Sequence, residues 1–351
     1  MNSLRLLLFP FALLYGFIIW IRNRLFDLQI LKSKTYPIPT IVVGNLAIGG
    51  TGKSPMTEFI IKILKDKYCL ATLSRGYGRK TKGFKYVSIS STADEVGDEP
   101  LQFKNKFSDI TVAVCEDRCL GVETLMEQHD VIILDDAFQH RKLKPTFSIL
   151  LFDYNSCQNP MFVLPMGNFR DLPGESKRAD MIMVTKTPSD IPEDNKAAIR
   201  RKLYLKSGLS NIFFTSIQYG ELVYLNGNRV EMNANTTILL LTGIANPKPL
   251  LDYLTGLIKD IEHFAFSDHH AYTSNDILTI KQKFDQIKNP SKLIITTEKD
   301  AQRIRTPEYI ALLDTVPVAY IPIEIAFDDQ EYRNTVEQQL LSICGRSVNE
   351  S

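Results

Sequence analysis

Cysteine, histidine and tryptophan are scarce in this 351-residue chain, at five, five and one. The cysteines (69, 115, 119, 157 and 344) form no Cys-x-x-Cys pair and do not cluster with histidines at metal-ligand spacing, which argues against a redox dithiol or a zinc ribbon. Free thiols in a reducing compartment are the simpler reading. Net charge is only +1, so there is no bulk attraction for nucleic acid or for a strongly acidic partner. Internal repeats and low-complexity tracts are absent.

A long hydrophobic run is also missing, although one comes close. Leu6 to Ile21 is sixteen residues without a charge, preceded by Arg5 and followed by Arg22, Arg24, Lys32 and Lys34. A spanning helix needs about 20 apolar residues, and Pro10 can kink this one. No small-residue site for signal cleavage follows. Trp20 ahead of arginines suits a headgroup-level end. Three readings stand: an inserted or interfacial anchor, a single span, and a helix packed on the protein. Under the first two, the flanking positive charge keeps the rest of the chain cytoplasmic.

What the chain does have is a glycine-rich turn between an apolar run and a helical pattern: Ile41-Val-Val-Gly-Asn-Leu-Ala47-Ile48-Gly49-Gly50-Thr51-Gly52-Lys53-Ser54. Such a turn points backbone N–H groups at phosphate oxygens, and the following helix adds its positive end. Lys53 would reach the β- and γ-phosphates and Ser54 would ligate Mg²⁺. Ala47 replaces the first glycine of the usual pattern, but the strand before the turn and the amphipathic Met56 to Leu64 after it supply the context.

Short apolar runs alternate with helical patterns, which predicts an α/β fold with a mainly parallel sheet. Strands are expected at 40–43, 69–73, 110–115, 131–134, 148–152 and 181–184. A second series follows at 237–241, 261–266, 292–296 and 317–321, with helices from about 247 and 275. Between the two series, β-rich runs flank Asn226-Gly227, a hairpin signal. The expected organisation is an anchor at 1–34, a P-loop lobe at 35–210, a two-stranded hairpin linker at 211–235 and a smaller α/β lobe at 236–351.

Several strand ends carry polar residues suited to chemistry. Val131-Ile-Ile-Leu-Asp135-Asp136 has the form of a strand presenting acids to Mg²⁺. Gln139, His140 and Arg141 beyond it face either the cleft or solvent. Ser74-Arg-Gly-Tyr-Gly-Arg79 suits a phosphate-bearing ligand or an ordinary basic turn. Gly97-Asp98-Glu99-Pro100 reads as a helix start with dipole-favoured acids, or as a source of a catalytic acid. Arg118 can meet phosphate or pair with an acid. Asp268-His269-His270 offers a carboxylate beside an imidazole, the equipment for proton transfer, or a surface loop.

These pieces, with Arg178-Ala-Asp180, Gly243-Ile-Ala-Asn-Pro247 and Thr297-Glu-Lys-Asp300, occur in one order over residues 1 to about 305. Together they resemble the tetraacyldisaccharide 4′-kinase family, the lipid A 4′-kinases of Gram-negative bacteria. The resemblance implies a P-loop lobe joined by a two-stranded linker to a smaller α/β lobe, N-terminally anchored at the cytoplasmic face of the inner membrane. It implies transfer of the ATP γ-phosphoryl group to the 4′-hydroxyl of a membrane-embedded acylated glucosamine disaccharide 1-phosphate, with ATP and Mg²⁺ as cofactors. Residues 47 to 54 match the ATP-binding segment, Asp98 the proton acceptor, and His269, supported by Asp268, its partner. Asp135 and Asp136 match the metal-linked pair; Glu99, Arg118, Arg170 and Asp171 fall on further active-site positions. Three residues depart from the family's usual pattern: Ser54 for Thr, Ala137 for Gly, and Asp171 for Glu. The competing class is a membrane-tethered P-loop switch or assembly ATPase, which needs no proton acceptor for a sugar hydroxyl.

Overall fold

The computed structural model describes residues 5, 7–230 and 235–346. Two sheets organise the chain. The larger has nine strands: β1 (Thr40–Asn45), β2 (Leu70–Ser74), β3 (Lys85–Tyr86), β4 (Thr111–Val114), β5 (Val131–Asp135), β6 (Phe147–Asp153), β7 (Met181–Thr185), β8 (Ile212–Tyr219) and, from the end of the chain, Ile323–Phe327. The smaller contains β9 (Val223–Tyr224), β10 (Thr237–Thr242), β11 (Ile261–Ala265), β12 (Lys292–Thr297) and β13 (Val318–Ile321); Ile323–Phe327 is β14. Each sheet is parallel except at edges: β3 and β14 run antiparallel in the first, β9 in the second.

The position of β1 decides where the site forms. It lies between β5 and β6, with its residues buried, as a strand covered on both faces must be. Register sets Val43 beside Asp135 and Asn45 beside Leu151, so the acids ending β5 emerge next to the turn that follows β1. Alternate residues of β1 face opposite layers. Ile41 and Val43 pack with Met56, Ile60, Ile61 and Leu64 of the helix Lys53–Leu64, while Val42 joins Leu134, Leu150 and Val122 on the other face. Each such side chain contributes on the order of 1.5–3 kcal/mol of burial, which holds the glycine-rich turn between two well-packed elements.

The expected hairpin linker is corrected by the pairing. Asn226-Gly227 does form a turn, with Gly227 N–H donating to Tyr224 O at 2.8 Å and a φ of 92°, but it closes only the short hairpin around β9. The two links between the sheets are instead 219–223 and 321–323. Here β8 pairs antiparallel with β14 and β13 with β9, and Gly220 N–H bonds Pro322 O at 2.9 Å. Residues 323–346 therefore return to the larger sheet, where Val336, Leu340 and Cys344 of the helix Gln330–Arg346 enter its core. The smaller lobe expected at 236–351 does not include them.

At the N-terminus a helix spans Phe9–Asp27. It lies on the larger lobe along a strip that includes Ala12, Asn23 and Phe26, with Tyr15 donating to Arg170 O at 3.1 Å and Arg141 stacked over Phe26 at 5.1 Å. Phe9, Phe11, Leu13, Leu14, Phe17, Ile18 and Trp20 remain exposed. Among the described residues no helix is long and apolar enough to cross a membrane.

Candidate active site

The turn after β1 is shaped by backbone conformations that only glycine adopts readily. Gly49 and Gly52 have φ of 108° and 80°, and a Cβ at Gly49 would meet nothing within 4 Å, which leaves an open face toward a ligand. Ala47 is buried and bridges Phe169, so the position that departs from the glycine pattern serves to fix the rim. Ile48 is exposed, its N–H bonded to Asn168 O at 2.8 Å. Thr51 accepts from Asn45 Nδ2 at 2.8 Å, and its carbonyl accepts from Thr185 Oγ1 at 2.8 Å. Gly50 O accepts from Lys186 Nζ.

Lys53 points back across this turn, 3.5 Å from Asn45 Oδ1 and 3.9 Å from Asp136 Oδ1. Ser54 lies beside Glu99 at 3.4 Å. Asp135 is buried and accepts from Thr57 Oγ1 at 3.2 Å; burial, with Glu99 and Asp136 nearby, pushes its carboxyl up to about 7. Asp136 has a left-handed φ of 49°, which swings its carboxylate toward Lys53 and Arg170. Burial raises its pKa, but Lys53 and the paired Arg170 more than offset this and hold it ionised. Arg118 is buried, donating to Cys115 O and Glu116 O at 3.1 Å and to Asp136 O at 3.4 Å. Ser54, Asp135 and Asp136 are hard oxygen donors, the set that fits Mg²⁺.

The second lobe completes the cleft. The loop after β11 brings His269, with a left-handed φ of 57°, to Asp98 at the start of the helix Asp98–Lys106. Their Nδ1 to Oδ2 distance is 3.3 Å. Arg303 Nε donates to the same Oδ2 at 2.9 Å, and its Nη2 also bonds that oxygen. Burial raises the Asp98 pKa, but the bonds from His269 and Arg303 prevail and bring it down to about 2. Glu99 pairs with Lys299 Nζ at 3.1 Å.

One expected residue stands elsewhere, and one lies at the margin. Asp171 is buried and accepts from Asn23 Nδ2 at 2.9 Å: it ties the N-terminal helix to the lobe rather than facing the cleft. Asp268 is exposed and pairs with His269 Nε2 at 3.9 Å, farther from the imidazole than Asp98 and Arg303. Sequence reading missed Asn45, Lys299 and Arg303; the last two lie in and just beyond Thr297-Glu-Lys-Asp300, the run whose order, but not role, was visible. It also missed that Asp117, Cys119 and His140 each place a donor atom within 4.8 Å of the others. Asp117 there already caps the helix Arg118–Leu125.

Comparison with known proteins gives one answer. Residues 4–341 match the family described as tetraacyldisaccharide-1-P 4′-kinase. A protein named tetraacyldisaccharide 4′-kinase from Phocaeicola vulgatus is 42% identical over 343 residues, covering 93% of each chain. One of the same name from Flavobacterium johnsoniae is 44% identical over 333 residues, covering 93% of this chain and 94% of its own. The crystal structure of LpxK from Aquifex aeolicus in complex with ATP superposes with a TM-score of 0.75 at 27% identity, over 97% of this chain and 99% of that one.

Proposed function

The chain belongs to the tetraacyldisaccharide-1-P 4′-kinase family, and from that membership we propose how its cleft performs the reaction. The enzyme uses ATP to phosphorylate the 4′-hydroxyl of a tetraacyldisaccharide 1-phosphate in lipid A biosynthesis. A bond forms between the 4′-oxygen and the γ-phosphorus, the bond to the ADP oxygen breaks, and the hydroxyl proton is released.

Residues 47 to 54 cradle the triphosphate through backbone N–H groups and the start of the helix Lys53–Leu64. Lys53 and Arg170 set positive charge where the transferred group gains negative charge. Ser54, Asp135 and Asp136 would hold Mg²⁺, which when bound neutralises phosphate charge. Arg118 braces the Asp136 carbonyl from behind, and Glu99 steadies Ser54. Asp98 accepts the hydroxyl proton. A carboxylate held down to about 2 is a weak base in water, but in a loose phosphoryl transfer the hydroxyl loses its proton late, once its oxygen is largely bonded to phosphorus. Asp98 thus mainly aims the nucleophile, and His269 and its loop bring the second lobe to that carboxylate.

The single observation that carries this assignment is the meeting of Asp98 and His269 across the lobes at 3.3 Å, beside a phosphate cradle. A switch ATPase leaves that pair without a task. The exposed apolar face of Phe9–Asp27 supports an interfacial anchor at the cytoplasmic face of the inner membrane: about 5–10 Å of insertion would bury it and place the cleft beside an acceptor whose acyl chains stay in the bilayer. Mass spectrometry of the product from ATP, Mg²⁺ and tetraacyldisaccharide 1-phosphate tests the assignment. A bis-phosphorylated glycolipid is expected; ATP hydrolysis indifferent to the acceptor would favour the switch.

A further inference from the structure

Asp98 does not stand free in the cleft. Its Oδ2 takes Arg303 Nε at 2.9 Å, Arg303 Nη2 and His269 Nδ1 at 3.3 Å, whereas no described residue donates to Oδ1. One carboxylate oxygen is thus fixed and the other left open, the arrangement needed to hold a proton acceptor at a set angle. Arg303 is itself held. It is buried on the helix Glu298–Ile304, with Nη1 donating to Asp300 Oδ1 at 3.0 Å and to Gly243 O at 3.4 Å. Asp300 in turn accepts from Thr297 Oγ1 at 2.7 Å and Gly243 N at 2.9 Å. Thr297, Asp300 and Gly243 therefore form a rigid mount in the second lobe for a guanidinium aimed at an acid of the first.

We propose that Arg303 is the positioning residue for Asp98: it fixes Oδ2 and so turns Oδ1 toward the acceptor hydroxyl, and does so only while the two lobes are together. It rests on the kinase reading of the cleft. Arg303 Nη2 also lies 3.1 Å from His269 Nδ1, and Lys299 Nζ lies 3.4 Å from its Nε2, so the guanidinium, which only donates, holds the carboxylate and the imidazole together. Separation of the lobes breaks the Asp98–Arg303 and Glu99–Lys299 pairs together. Proton acceptance is thereby linked to closure, and an ATP-loaded but open enzyme has no aimed base to activate water.

The charged and titratable groups around Asp98 are Glu99 on its own helix, His269 and Asp268 on the loop after β11, Lys299, Asp300 and Arg303 on the helix of the second lobe, and Tyr77, whose ring packs on His269. Of these only Arg303 offers two donors to the carboxylate. The test compares the full-length parent with Arg303→Ala and Arg303→Lys, using ATP, Mg²⁺ and tetraacyldisaccharide 1-phosphate in mixed micelles from pH 4.5 to 9. Arg303→Ala is expected to lower kcat on the order of 10²-fold at pH 8, to leave the KM for ATP within about threefold (about a quarter of that loss on a log scale), and to add an acidic limb to the parent's kcat profile. Methylguanidinium is expected to restore part of the loss, and Arg303→Lys to lose less activity and show no new limb. A lowered kcat with an unmoved pH profile and no rescue would mark Arg303 as merely structural and overturn the proposal, as would an Arg303→Ala enzyme with parental kcat. A parent that forms no bis-phosphorylated lipid would instead sink the kinase reading.

Discussion

Lys53 and Asp135 show how the site trades stability for charge handling. Lys53 sits within reach of both Asn45 and Asp136, on a helix whose core-facing residues pack independently of it. Its truncation should therefore spare the fold. Lys53→Ala is expected to lower kcat by on the order of 10²–10³-fold, the usual loss for one transition-state donor, with an unchanged melting temperature. Asp135 behaves in the opposite way. Its carboxyl is raised from 3.8 to about 7, so the unfolded chain ionises first and parent stability falls as pH rises through that window. Asp135→Asn removes the buried charge while its side-chain oxygen can still accept from Thr57. In metal-free protein it should melt higher than the parent at pH 8, with the gap shrinking at pH 5.5, while losing Mg²⁺-dependent activity. Equal melting temperatures at both pH values would contradict the buried-acid account. At this scale the sequence was readable where placement is local: Lys53, Ser54, Asp135 and Asp136 lie together because a turn and a strand end put them there. Arg170 bonds Asp136 while the adjacent Asp171 accepts from Asn23, and a side chain's partner on a helix far away in sequence leaves no trace in the spacing.

The elements that aim the acids are held by close backbone approach. Gly97 has a φ of 91°, and a Cβ there would lie 3.0 Å from Tyr77 O and 3.1 Å from Gly76. Loop 74–79 therefore packs directly against the residue that begins the helix Asp98–Lys106, which is why Ser74-Arg-Gly-Tyr-Gly and Gly97-Asp-Glu-Pro belong to one site. Gly97→Ala should cost about 1–3 kcal/mol in thermal or denaturant unfolding, from the left-handed backbone alone, and should also lower kcat because Asp98 shifts with the helix start. A variant with parental stability would show that this contact gives way easily. The parallel strands were legible from their apolar runs. The β8–β14 pairing was not, because it joins segments more than a hundred residues apart, and the Asn226-Gly227 turn signal, correct in itself, belonged to a shorter hairpin than the runs around it suggested.

At the scale of the whole molecule, the proposed reading makes catalysis and lipid access depend on two junctions. One is the lobe contact, where Asp98, Glu99 and Lys106 of one helix meet Arg303, Lys299 and Glu298 of another. The other is the N-terminal helix, bonded through Asn23 to Asp171 while Phe11, Phe17 and Trp20 face outward. Replacing those three with Gln should abolish co-sedimentation with liposomes of anionic phospholipid without altering the melting temperature. Unchanged sedimentation would place the membrane contact elsewhere. That the chain has two lobes was visible in two successive β-α series. Its C-terminal return to the first lobe was not, since amphipathic segments carry no mark of which sheet they cover. The central claim is that the phosphoryl group goes to the 4′-oxygen of the disaccharide. Its most direct test is phosphorus–proton correlation NMR of the lipid product made with ATP and Mg²⁺. The account predicts a new phosphomonoester coupled to H4′; a new phosphorus signal coupled to any other sugar proton, or none at all, would contradict it.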